Sequence, residues 1–192
     1  MKCEQHFYNC SKEYLAHIDS DLFDEVEHVV SLLPKRNTQA EINQDLFWLL
    51  TQRGWAYDTL GGIGNTPPKD LGLTDIHRER IEKMNDRSLC VTATTLEASW
   101  HCDFAKLFPL GLAQVEVQFG KVESMFKDFC GFRLAHYEKR LALGVEIVMH
   151  NPYGYFAHRR NAIGGMAYFD IAKNTLPAIG LDCPIWLLGI KV

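Results

Sequence analysis

The sequence predicts an α/β domain with a mixed central sheet flanked by helices. Apolar residues at helical spacing dominate the first ninety positions, and strand-like alternation takes over near position 98. The second half then runs strand hairpin, helix, strand, helix, strand, an order that a mixed sheet accommodates. At 192 residues, 47% apolar and 23% charged, the chain suits one domain, 1–192, with a helical part at 1–90 and a sheet core at 91–192.

The elements follow in order. Ser20 to Leu33 reads as a helix with a Leu22, Val26, Val29, Val30 stripe, ended by Pro34. Thr38-Gln39-Ala40-Glu41 is a capping-box signature, and Ile42, Leu46, Leu49 and Leu50 form the stripe behind it. Residues 58–72, with Gly61-Gly62, Gly64 and Pro67-Pro68, predict a long surface loop. A polar helix is expected over Thr74 to Asp86, and strands near 98–106, 113–119, 143–149 and 184–191. Between the strands lie an amphipathic helix at about 122–139, expected to bury Val122, Met125, Phe126, Phe129 and Phe132, and a weaker one near 165–176. The four tryptophans, Trp48, Trp55, Trp100 and Trp186, fall in apolar periodic stretches and read as packing residues. Glu146, within an apolar strand, reads as a hydrogen-bonded structural acid, and Arg133, Lys139 and Arg140 as solvated.

Composition bounds the partners. No apolar run approaches the roughly 20 residues of a membrane span. Met1-Lys2-Cys3-Glu4-Gln5-His6 has no apolar signal core, so a cytoplasmic protein without a membrane partner is expected. The net charge of −4 is uneven: residues 1–100 hold 10 Lys+Arg against 16 Asp+Glu, residues 101–192 hold 10 against 8. The second half can therefore carry a small phosphate-binding cleft on an acidic protein. The six cysteines are scattered and expected to be free thiols. Cys3-x-x-His6-x-x-x-Cys10, with Cys102 or His101 as a fourth ligand, forms a faint zinc pattern beside that expectation.

Val115 to Lys121 carries the chemistry. On a strand, Glu116 and Gln118 project from one face while Val115, Val117 and Phe119 pack behind. Asp103 lies upstream on the preceding strand. Two carboxylates and the Val117 carbonyl can hold Mg²⁺, which takes oxygen ligands and keeps room for waters and substrate phosphate. Such a cation stabilises charge while a phosphodiester is attacked in line. Gln118 cannot act as a base but can orient water or substrate, and Lys121 can neutralise a phosphate or touch a base edge. Each residue also has a plainer reading: a solvent-facing pair, an acid that starts a turn, a lysine at a helix start.

Val115 to Lys121 resembles the E-V-Q-F segment of the BglII and BstYI family of type II restriction endonucleases. Leu143-Gly144-Val145-Glu146-Ile147 and Pro184 to Ile190 resemble later strands of that family. Ile42-Asn43-Gln44 with Arg53-Gly54-Trp55 resembles its N-terminal helix. The resemblance spans roughly residues 20–56 and 100–192 and implies a restriction-endonuclease-like sheet, a variant of the P-D…(D/E)-x-K core with Gln in place of Lys. By position it implies Asp103 and Glu116 as Mg²⁺ ligands, Gln118 at the variant position, and a homodimer acting on palindromic duplex DNA with a GATC core. A two-fold protein matches a two-fold site. Asp103 stands further from Glu116 than the family pattern has it. Either Phe108-Pro109-Leu110-Gly111 lengthens the hairpin, or Glu97 is the first acid.

His158-Arg159-Arg160-Asn161, followed by Gly164-Gly165, lies where relatives contact bases. Arg pairs with guanine and Asn with adenine, and the same loop could instead hold phosphates without sequence preference. The expected function is a Mg²⁺-dependent type II restriction endonuclease. Two alternatives remain: a catalytically silent, sequence-specific DNA-binding protein on the same fold, and an interaction protein with no DNA role.

Overall fold

The computed structural model describes residues 1–58, 66–73, 78–94, 100–156 and 164–191, with the backbone alone for 78–80. Its centre is a six-stranded sheet in the order β1-β6-β5-β4-β3-β2. The strands are β1 (Lys2–Tyr8), β2 (Ala56–Tyr57), β3 (Phe104–Phe108), β4 (Gly111–Val117), β5 (Leu141–Met149) and β6 (Ile185–Lys191). β4, β5 and β6 run parallel, while β1, β3 and β2 join antiparallel at the flanks. The buried parallel centre explains the near-continuous apolar run of β5, every residue of which is buried.

Helices cover both faces. On one lie α1 (Lys12–Ile18), α2 (Leu22–Leu32) and α3 (Gln39–Gln52), packed with Val115, Val145, Ile147, Trp186 and Leu188. α1 starts at Ser11, whose hydroxyl accepts from the Tyr14 N–H. α3 starts with both halves of the Thr38–Glu41 capping box. On the other face lie α6 (Val122–Tyr137) and α8 (Phe169–Ala178), packed with Val148, Ile185 and Leu187. Phe132 of α6 sits so close to the sheet that a Cβ at Gly144 would stand 2.9 Å from its ring and 2.7 Å from Ile185 Cδ1.

The structure departs from the sequence reading in several places. The sheet draws β1 and β2 from the first ninety residues, where helices alone were expected. β1 (KCEQHFY) is a half-exposed edge strand, and its mixed polarity hid it. The short α1, α5 (Arg87–Cys90) and α7 (Pro152–Tyr155) were also unforeseen. The polar helix is α4 (Arg78–Lys83), shorter than expected over its described part. Phe126 is 40% exposed, because the buried stripe of α6 runs through Met125, Phe129 and Phe132. Arg140 is not simply solvated: its Nη2 donates to the Ser88 carbonyl. Trp48, Trp55 and Trp186 are buried as expected. All six cysteines are free. Cys3 and His6 stand three apart on β1 and so point to opposite faces, which breaks up the zinc pattern.

Candidate active site

The β3–β4 hairpin builds the site. Phe104 pairs with Val115 and Phe108 with Gly111, so the long gap between Asp103 and Glu116 is consumed by two paired strands and the Pro109-Leu110 turn. Continuing that register brings Asp103 level with Glu116, and the Val117 N–H donates to Asp103 Oδ2 at 2.9 Å. On the other side, Glu116 pairs with Glu146 of β5. Residues paired across a ladder share a face, so Asp103, Glu116 and Glu146 form a row across three strands. Glu97, the alternative first acid, lies outside the described residues.

Gln118 follows on the same face, as the alternation of β4 requires. Its Oε1 accepts from the Gly120 N–H at 2.8 Å, and its Nε2 donates to Asp128 Oδ2 at 2.7 Å. Asp128 comes from α6 and is 8% exposed. Asp103, Glu116 and Gln118 keep part of their surface, while Glu146 is fully buried. Neither carboxyl oxygen of Glu146 has a hydrogen-bond partner among the described residues. The expectation of a hydrogen-bonded structural acid is therefore wrong at Glu146.

Crowding and burial set the electrostatics. Burial pushes the Asp103 carboxyl up to about 6; Asp128 and Asp58 add to this, while the Val117 N–H and Lys127 oppose it. Asp128 is also raised to about 6 by burial, against its bond from Gln118 and the charge of Lys127. Glu116 lies well above the usual carboxylate range, first through burial and then through Asp103, Asp128 and Glu146, with Lys127 again opposing. Glu146 is raised in the same way by burial, Asp128 and Asp103. Four carboxyl groups thus share one end of the sheet, and Lys127 opposes the shift of three of them, Asp103, Glu116 and Asp128. A divalent cation would relieve that imbalance, since it favours the ionised form of each acid near it.

The donor set fits such an ion. Asp103 and Glu116 offer carboxylate oxygens. The N–H and C=O of one strand residue point to the same edge, so the Val117 carbonyl is directed toward Asp103 as its N–H is. Among the described residues no three His, Cys, Asp or Glu side chains form a ready-made cage. An open, partly formed oxygen site is what Mg²⁺ uses when substrate phosphate completes the shell.

Lys121 is exposed at the N-cap of α6, just beyond Gly120. Backbone pairing ties this corner to the chain after the predicted DNA-reading loop: Val122 N–H donates to Gly165 and Ala167 N–H to Gly120. His158, Arg159, Arg160 and Asn161 lie outside the described residues. Sequence reasoning missed Asp128 and Lys127. The signal for Asp128 was present: it stands three residues after Met125, on the apolar stripe of α6, where an acid has no structural reason to be.

Together, this sheet and its row of acids ahead of an acid-x-amide strand define a protein of the restriction-endonuclease class. The crystal structure of restriction endonuclease BglII complexed with a DNA 16-mer matches 99% of this chain and 76% of that one, with a TM-score of 0.62 and 17% identity, a likeness of fold. No curated protein sequence matches the chain. The restriction endonuclease BglII/BglIII family matches residues 3–190, and the chain belongs to that family of type II site-specific deoxyribonucleases. Such enzymes generally work with divalent metal ions.

Proposed function

We propose that this protein is a Mg²⁺-dependent restriction endonuclease that hydrolyses phosphodiester bonds in duplex DNA at a short palindromic site, acting as a homodimer. The observation that carries the reading is the alignment of Asp103 with Glu116, held by the Val117 N–H at 2.9 Å. Family membership supports site-specific cleavage. The similar fold of BglII, solved as a complex with a DNA 16-mer, supports a duplex substrate. The sequence resemblance supports GATC as the palindromic core, and the two-fold symmetry of such a site supports a two-fold enzyme.

Asp103, Glu116 and the Val117 carbonyl would hold the cation. When bound, it supplies electrostatic stabilisation of the charge that develops on the phosphate. The chain's own residues do the rest. Gln118 orients water or a phosphate oxygen through its amide. Lys121 neutralises a neighbouring phosphate, and His158, Arg159, Arg160 and Asn161 engage the duplex.

The test is digestion of unmethylated plasmid by purified protein in Mg²⁺, beside EDTA and Glu116→Ala controls. Discrete fragments that vanish in both controls are expected, with ends mapping to one symmetric sequence. Intact plasmid together with a specific, salt-sensitive shift of GATC duplexes would instead establish a silent binder.

A further inference from the structure

The two hydrogen bonds to Gln118 fix which way its amide faces. A backbone N–H can only donate, so the atom bonded to Gly120 must be the oxygen. The nitrogen then faces Asp128, which accepts one of its two hydrogens. The second hydrogen has no partner among the described residues and is left for a phosphate oxygen or a water. Gly120 is part of the device: a Cβ there would stand 2.8 Å from Gln118 Oε1 and displace the amide. Asp128 is nearly buried, and among the described residues its side chain bonds to Gln118 alone.

We propose that Asp128 is a positioning residue for the reaction: with the Gly120 N–H it locks the Gln118 amide, so that the residue standing where the family's core pattern has lysine works as a neutral N–H donor. This rests on the nuclease reading above. It goes beyond it by assigning work to a residue on α6 and a polarity to Gln118. A glutamine free to flip would also turn its carbonyl oxygen toward an anionic phosphate and be repelled by it. Held as observed, it presents N–H.

The experiment is a double-mutant cycle on site-containing duplex, measuring single-turnover rate, KM and Mn²⁺ binding. Asp128→Ala should lower the rate about 10–100-fold, as small misplacements of reacting groups do. KM and Mn²⁺ affinity should stay within about twofold, as expected for an interaction used in the transition state. Asp128→Asn keeps an acceptor oxygen and should recover most of the rate. In a Gln118→Ala background, Asp128→Ala should cost nothing further, because both act through one amide. Gly120→Ala should behave in the same way and decides the matter if Asp128→Ala does not fold. Additive losses, or full activity in Gly120→Ala, would overturn the proposal while leaving the nuclease reading intact. Wild-type protein that does not cleave would instead remove the nuclease reading itself.

Discussion

Glu116 and Glu146 are neighbours on adjacent parallel strands, and their environments divide their roles. Glu116 keeps access to solvent beside Asp103, whereas Glu146 is buried and, among the described residues, has no donor to satisfy it. A buried acid without a partner is costly when ionised and tends to stay neutral. Glu116, which keeps part of its surface, is the one suited to hold a cation. Glu116→Ala and Asp103→Asn should each reduce cleavage by about a thousandfold or more, the scale of losing a principal electrostatic element. Circular dichroism and thermal melts should show both variants folded. Much of this was legible in the sequence, because the period of two alone places Glu116 with Gln118. The pairing of Glu116 with Glu146, and the bond from Gln118 to Asp128, depend on register and helix placement, which no local pattern reveals.

The hairpin and the helix behind it are the elements that assemble the site. The Pro109-Leu110 turn sets the register that returns Asp103 to Glu116, and α6 delivers Asp128 from the opposite layer. α6 lies where it does because Phe132 settles over Gly144. Gly144→Ala should therefore destabilise the protein by about 1–3 kcal/mol, the usual cost of overpacking, measured by urea unfolding. A second fixture joins α3 to the 66–73 segment: Arg36 binds Asp45 at 2.6 and 2.9 Å and Asp70 at 2.7 and 2.9 Å. Burial raises the Asp45 pKa despite Arg36, so the pair offsets a desolvation cost rather than adding a large surplus. Asp45→Ala should still cost about 1–3 kcal/mol by leaving a half-buried guanidinium with fewer partners. Helices α2 and α3 were readable from their stripes and the Thr38–Glu41 box. β1 was not: its partner β6 lies at the far end of the chain, and an edge strand need not advertise one apolar face.

Over the whole molecule, the first half is acidic, and the second concentrates its acids where a cation is needed. Asp103, Glu116, Asp128 and Glu146 are half of the 8 acids in residues 101–192. This has a sign in stability. Asp103 and Asp128 rise from an ordinary 3.8 to about 6, so between those values the folded protein holds more protons than the unfolded chain. Stability of the metal-free protein should fall as pH rises through that window and stay reduced above it. Mg²⁺ should raise Tm more at neutral pH than near pH 5, with each kcal/mol worth about 2–4 °C for a chain of this size. An EDTA-treated sample whose Tm climbs across the same window would contradict the assignment of a crowded, cation-seeking site.

The most direct test of the central claim is Mn²⁺ titration followed by electron paramagnetic resonance, comparing wild-type protein with Glu116→Ala, since carboxylate and carbonyl oxygens suit Mn²⁺ as they do Mg²⁺. The account predicts a saturable site in the wild type that weakens at least about tenfold in the variant, a loss of roughly 1.4 kcal/mol. Equal Mn²⁺ binding by the two folded proteins would contradict it.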